Sequence, residues 1–223
     1  MASKTRRNER RTDALSKERI VETAVEILDT EGEGALTFRA LAARLATGPG
    51  AIYWHVANKN DLLAAATDEV IGRVMTEVVG SAEPQRAIRA VALGVFDAID
   101  AHPWVGAQLS GPAGQSAILE IFEGLGKQLR ALDVPQRAHF GAASALLNYI
   151  LGVAGQNAAN ARMNPHLTDR SDFLDSVATR WEQLDPARYP FVNQVAAQLR
   201  DHDDREQFLA GIDLILAGIG TLH

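Results

Sequence analysis

Cysteine is absent from the chain, which excludes disulfides, thiolate metal sites and cysteine nucleophiles together and fits a cytoplasmic setting. No apolar run reaches the ~20 residues that a membrane span requires, because Gly, Asn or charge interrupts each one. The N-terminus is polar and basic, with no apolar signal region, so the protein is expected to be soluble, unexported and away from membranes. The motifs G-x-S-x-G, P-loop, dinucleotide fingerprint and H-E-x-x-H are also missing. The six His and the carboxylates form no convincing catalytic or metal set. No catalytic residue, no metal site and no cofactor is therefore expected, and the protein is not expected to be an enzyme. Sustained period-2 alternation is lacking too, as is any internal repeat, so the expected fold is all-α with no sheet.

What the chain does have is length and apolar content: 223 residues, 47% of them hydrophobic, enough for one or two well-packed domains. The net charge of −6 is unevenly distributed. Residues 1–60 carry 10 Lys and Arg against 8 Asp and Glu, whereas residues 61–223 carry 12 against 20. The positive charge is concentrated in residues 1–19, with 7 basic against 3 acidic. An acidic body with a basic front leaves one end free to meet phosphate.

The stretch Leu36 to Lys59 carries most of the functional information. Thr37 can cap a first helix through its hydroxyl, with Leu36 and Leu41 at the positions of a hydrophobic staple. Leu41 and Leu45 share one face with Ala42, while Arg39 and Arg44 point elsewhere. Gly48 and Pro49 break that helix, and Pro49 suits the first position of a second one, expected over about Pro49 to His55. Ile52 and Val56 are its buried residues; Trp54 is expected in the core rather than at a contact. Two short helices across a Gly-containing turn are the signal of a helix-turn-helix. Thr37, Arg39, Arg44, Thr47, Gly48, Pro49, Gly50, Ala51, Tyr53, His55 and Lys59 are the candidate DNA-binding residues. Of these, Tyr53, His55 and Lys59 are placed on phosphates. Pro49, Gly50 and Ala51 offer no side-chain hydrogen bond, so base reading falls to methyl and backbone contacts.

With Tyr53-Trp54-His55-Val56 followed by Asn58-Lys59-Asn60-Asp61-Leu62-Leu63, residues 16–75 resemble the DNA-binding domain of the TetR (tetracycline repressor) family of bacterial transcription regulators. The resemblance implies a ligand-responsive regulator, usually a repressor, that binds a double-stranded, pseudo-palindromic operator as a homodimer. A small-molecule effector, not identifiable from the sequence, releases it. Two other classes stay open: an enzyme with an all-α body, and an interaction module that keeps the helix-turn-helix as scaffold.

Around this stretch the chain divides into a basic arm (1–15), the helix-turn-helix domain (16–60) and a helical ligand-binding and dimerisation domain (61–223). The arm either tracks phosphates or is a solvated tail. Ser16 starts a first helix with Ile20, Val21, Ala24, Ile27 and Leu28 on its apolar face, ended by Gly32 and Gly34. Asn58, with Asp61, caps a long helix running to about Gly80. Beyond Pro84, five to seven more helices are expected, with residues 164–190 the least regular. Two of these helices, from about Pro135 to Met163 and from Asp204, are rich in small residues. In a protein resembling this family they would form a four-helix dimer seam, the alternative being packing within one chain. At the start of the last helix, Asp204 and Gln207 hold capping-box positions. Asn148, Gln156 and Asn160, with Tyr149 and Gly152, line either a ligand pocket or that seam. Phe96, Trp104, Phe122 and Met163 are candidate apolar walls.

Overall fold

The structure, a computed structural model, describes residues 15–78, 83–163 and 170–222. Helix α1, Lys17–Glu31, begins where the Ser16 hydroxyl accepts the Arg19 N–H at 3.3 Å. It buries Ile20, Val21, Ala24, Ile27 and Leu28, the five residues expected from spacing. Gly32, at φ 79°, turns the chain out of the helix in a conformation that favours glycine. A 3₁₀ turn, Glu33–Ala35, leads to α2, Phe38–Arg44, capped by Thr37 accepting the Ala40 N–H at 3.1 Å. Helix α2 ends in a Schellman arrangement, with Thr47 N–H on Ala42 C=O at 2.9 Å and Ala46 N–H on Ala43 C=O at 3.3 Å. Its left-handed residue is Ala46, φ 50°. Gly48 is extended, φ −87° and ψ 146°, the conformation that a following proline imposes.

Helix α3, Pro49–Ile52, is shorter than the expected Pro49 to His55. The Tyr53 N–H reaches Pro49 C=O only at 3.4 Å, and the His55 N–H closes a tighter turn onto Ile52 C=O at 2.9 Å. Ile52 and Val56 stay buried in the core, and α3 packs on α2. Helix α4, Lys59–Val78, follows Asn58, whose side-chain oxygen accepts the Asp61 N–H at 3.0 Å while its amide donates to the Asp61 carboxylate. It packs on α1 at one end and on the body along the rest, so one rod spans both units.

The body is α5 (Pro84–Ala101), α6 (Pro103–Leu109), α7 (Gln115–Ala131), α8 (Gln136–Met163), α9 (Arg170–Glu182), α10 (Pro190–Val195) and α11 (Asp204–Ile219). That makes seven helices beyond Pro84 and no strand among the described residues. Helix α8 packs against α5, α6, α7 and α11. By length and composition the stretch Gln136–Asn160 could cross a membrane. Here its buried face, including Leu146 and Ile150, packs within the protein core. Helix α11 is anchored by Phe208, fully buried and stacked on Phe96 (4.7 Å) and Tyr149 (5.6 Å). The N-cap of α11 is Asp203, which accepts the Glu206 N–H at 2.8 Å, one residue earlier than the expected Asp204.

Helix α9 lies within a segment expected to be the least regular. It buries only Leu174 and Ala178, so its apolar periodicity is faint. It packs on α10 and the turn Ala196–Leu199, and its Arg170 pairs with Asp204 of α11 at 2.7 Å. Arg200 ties this group together through Asp175 (2.7 Å) and a two-pronged contact with Glu182 (2.6 and 3.0 Å), and its guanidinium holds the Glu182 carboxyl below the usual range.

Candidate nucleic-acid interface

Helix α2, capped by Thr37, and helix α3, opened by Pro49, bring most of the expected DNA-binding residues with the turn between them to one exposed end. Gly48, Pro49 and Gly50 are exposed, with Thr47 and Ala51 half-buried. At Gly48 and Gly50 an added Cβ would meet nothing within 4 Å, and neither lies at positive φ. The fold therefore does not require glycine at either position, and a glycine inside a helix costs roughly 0.5–1 kcal/mol against alanine. What the pair leaves is a bare strip of backbone with no side chain above it.

Aromatic and charged residues frame the strip. Tyr53 is stacked on Phe38 at 4.2 Å with the planes 3° apart, which fixes its ring. His55 and Thr37 are exposed, the Thr37 hydroxyl being engaged in capping. Arg39 is exposed and makes no hydrogen bond or ion pair among the described residues. Arg44 pairs with Glu31 instead of standing free.

Trp54 corrects the expectation. It is 90% exposed, because Ile52 and Val56, four residues apart, hold the core side of this turn and Trp54, two residues from each, falls on the opposite side. Ile52 and Val56 take the interior, and the indole is left in solvent beside Tyr53 and His55. Sequence reasoning also missed Phe38, the support under Tyr53. The signal for Trp54 was its place midway between Ile52 and Val56, which is the side of a helical turn away from the core.

Behind this end lies a polar joint to the body. Asp29 Oδ1, on α1, accepts the Trp104 indole N–H at 2.7 Å and lies 2.8 Å from His102 Nδ1, at the α5–α6 corner. Lys59 donates to the Glu33 carbonyl at 2.7 Å, and the Glu33 carboxylate accepts from Gln108 of α6 at 3.1 Å. The joint therefore spans α1, the turn after it, α4 and α6.

Among the described residues, those expected to contact a ligand lie in different surroundings. Asn148, Gly152, Gln156 and Asn160 lie on the exposed face of α8. Tyr149 is half-buried, its phenol raised in pKa by burial and donating to the Phe208 carbonyl at 3.3 Å. Phe96 is core, Trp104 is held at the joint, and Phe122 meets Phe140 edge-on at 6.1 Å. Met163 ends α8, with its side chain outside the described residues. A cleft of about 290 Å³ runs between α1, α4 and α5, over Val25, Val70, Val74 and Gly94, and none of those described residues lines it. Of the expected arm, residues 1–15, positions 1–14 also lie outside the described residues, while Leu15 packs against the core.

The likenesses to known proteins follow the same division. The model of bacterial regulatory proteins of the tetR family matches residues 20–66, and that of the tetracyclin repressor-like C-terminal domain matches residues 83–222. An HTH-type transcriptional regulator of Saccharopolyspora erythraea is 33% identical over 140 residues, 62% of this chain and 59% of its own length, so the match spans less than two thirds of that relative. The HTH-type transcriptional repressor DrrR1 of Streptomyces coeruleorubidus is 27% identical over 93% of this chain and 78% of its own. Among solved structures, the transcriptional regulator SCO7222, a TetR from Streptomyces coelicolor, is 57% identical with a TM-score of 0.86, over 94% of this chain and 100% of that one. ActR of the same organism, in complex with actinorhodin, shares the fold at a TM-score of 0.74 and 24% identity, over 92% of this chain and 95% of its own. The capped helix-turn-helix and the helical body behind it are thus those of a DNA-binding transcriptional regulator, and the chain belongs to the tetR family of bacterial regulatory proteins.

Proposed function

We propose that this regulator is a cytoplasmic homodimeric repressor that binds a pseudo-palindromic operator and leaves it when a small molecule enters the helical body. The observation that carries the reading is the bare strip Gly48 to Ala51, framed by Tyr53, Trp54, His55 and Lys59 at the free end of a rod that runs into the body. A glycine-lined surface with no structural need for glycine fits close approach to another molecule. The strip would meet base edges through backbone and methyl groups, with Thr47 beside it. Tyr53, His55, Lys59 and Arg39 would hold phosphates, and Thr37 and Arg44 would stand at the margin.

The exposed residues of α8 and α11 support dimerisation. On α8, Gly141, Ala145, Asn148, Gly152 and Gln156 recur at three- and four-residue spacing. On α11, Ala210, Leu214, Ala217 and Gly218 do the same, with Leu214 75% exposed. Two such faces close a four-helix seam with a second copy, and Asn148, Gln156 and Asn160 then belong to its polar content. The effector would reach Phe96, Trp104 and Phe122 from within the body, where a change at Trp104 bears directly on α1. DrrR1 is a repressor by name, in keeping with repression here. A gel shift on the DNA upstream of the chain's own gene tests the reading: a shift that survives mixed-sequence competitor supports it, and none at low salt contradicts it.

A further inference from the structure

Lys59 is held before any DNA arrives. Its ammonium donates to the backbone carbonyl of Glu33 at 2.7 Å, and the Glu33 carboxylate lies 3.7 Å away. The Glu33 carbonyl also takes the Leu36 N–H at 3.2 Å, so the backbone that holds the lysine is itself fixed. Glu33 Oε2 accepts from Gln108 Nε2 of α6 at 3.1 Å, while Oε1 is the oxygen that faces Lys59.

An ammonium has three donors, and the carbonyl uses one, leaving two for a phosphate. At 3.7 Å the carboxylate is beyond hydrogen-bond reach yet close enough to offset part of the positive charge. A carboxylate free to close would shorten that contact to about 2.8 Å and take a donor that the phosphate needs. The amide of Gln108, on the other oxygen, keeps it at the longer separation.

We propose that Glu33 is a positioning residue for Lys59: its carbonyl presents the ammonium to the DNA backbone, and Gln108 restrains its carboxylate from neutralising that ammonium. Helix α6 of the body thereby sets how much charge the reading end offers a phosphate. The inference rests on Lys59 being a phosphate ligand. A shift of α6 that breaks the Gln108 contact frees the carboxylate, and affinity falls for every DNA sequence alike, because a phosphate contact carries no base information. The Lys59 and Glu33 side chains are 40% and 50% exposed, so the effect is that of a surface pair, about 2–5-fold in affinity per half-site.

The test is a salt titration of the full-length chain on a mixed-sequence duplex, which needs no knowledge of the operator. Gln108→Ala is expected to weaken binding about 2–5-fold per half-site, and Glu33→Gln to strengthen it by a similar factor. The double variant is expected to bind like Glu33→Gln alone, since no charge then remains for Gln108 to restrain. Equal losses from Gln108→Ala with and without Glu33 would overturn the inference, as would a silent Glu33→Gln. Lys59→Ala separates the two levels of the claim. If it leaves the log K against log[salt] slope unchanged, the phosphate role falls and the inference with it. If it flattens the slope by about 1 per half-site while Glu33→Gln changes nothing, only the positioning role falls. Melting curves of each variant show that the fold is retained.

Discussion

Ala46 sits in the left-handed region at φ 50°, closing α2 where a helix end most often has glycine. That conformation costs an ordinary residue roughly 1–2 kcal/mol, and glycine loses part of the gain through its freer unfolded chain. Ala46→Gly should therefore stabilise the protein by about 1 kcal/mol, read as a raised denaturation midpoint in urea. A lowered midpoint would show that the Ala46 methyl has a packing role. Asp68 allows a second test at this scale. Its Oδ1 is buried without a hydrogen-bond partner among the described residues, and burial raises its pKa against the opposing pull of the Ser116 side chain and the Ala117 backbone. In the window between the usual carboxylate value and the raised one, the folded chain binds more protons than the unfolded chain. Stability therefore falls as pH rises through that window. Asp68→Asn should remove this fall, so that wild type loses ground to the variant between acid and neutral pH; parallel stability curves would contradict the assignment. Caps such as Ser16, Thr37 and Asn58 were legible in the sequence because capping is a local matter of one side chain and one N–H. Ala46 was not, since it depends on where α2 stops, which the Thr47 and Ala46 N–H contacts to Ala42 and Ala43 decide; Trp54 was misread from its apolar character, although its spacing from Ile52 and Val56 places it outward.

Among the elements, α4 and α11 carry the functional argument. Helix α4 was legible because its apolar spacing is sustained, with Leu62, Leu63, Ala66, Val70 and Ile71 all buried. Helix α9 was not, because two buried residues in thirteen leave little pattern to see. The polar stripe on α8 had two meanings in the sequence, pocket or seam, and periodicity alone cannot say whether a face meets its own chain or another. Exposure of Asn148 and Gly152 in the single chain favours the seam. Leu214 offers the sharpest test, being 75% exposed while Ile212 and Leu216 beside it hold α11 to the core. Leu214→Asp should leave the monomer folded and separate the dimer, because burying an unpaired carboxylate in an apolar seam is very costly. Light scattering at micromolar concentration should give the mass of one chain. An intact dimer would move the interface elsewhere.

At the scale of the whole molecule the division of charge matters most. Residues 61–223 carry 12 basic against 20 acidic side chains, while the front of the chain is basic, and a field so divided orients one end towards DNA. Deleting residues 2–11, which include Lys4, Arg6, Arg7, Arg10 and Arg11, should leave the melting temperature nearly unchanged and lower DNA affinity steeply at low salt. Equal affinity of truncated and full-length chains would reduce the arm to a solvated tail. If two copies of this chain read DNA together through the strips at Gly48 to Ala51, a footprint on the DNA upstream of the chain's own gene shows it. The expected result is one protected, pseudo-palindromic site whose half-sites lie about 34–36 Å apart or a multiple of that turn, lost with Leu214→Asp. Protection of a single asymmetric half-site, retained by that variant, would contradict it.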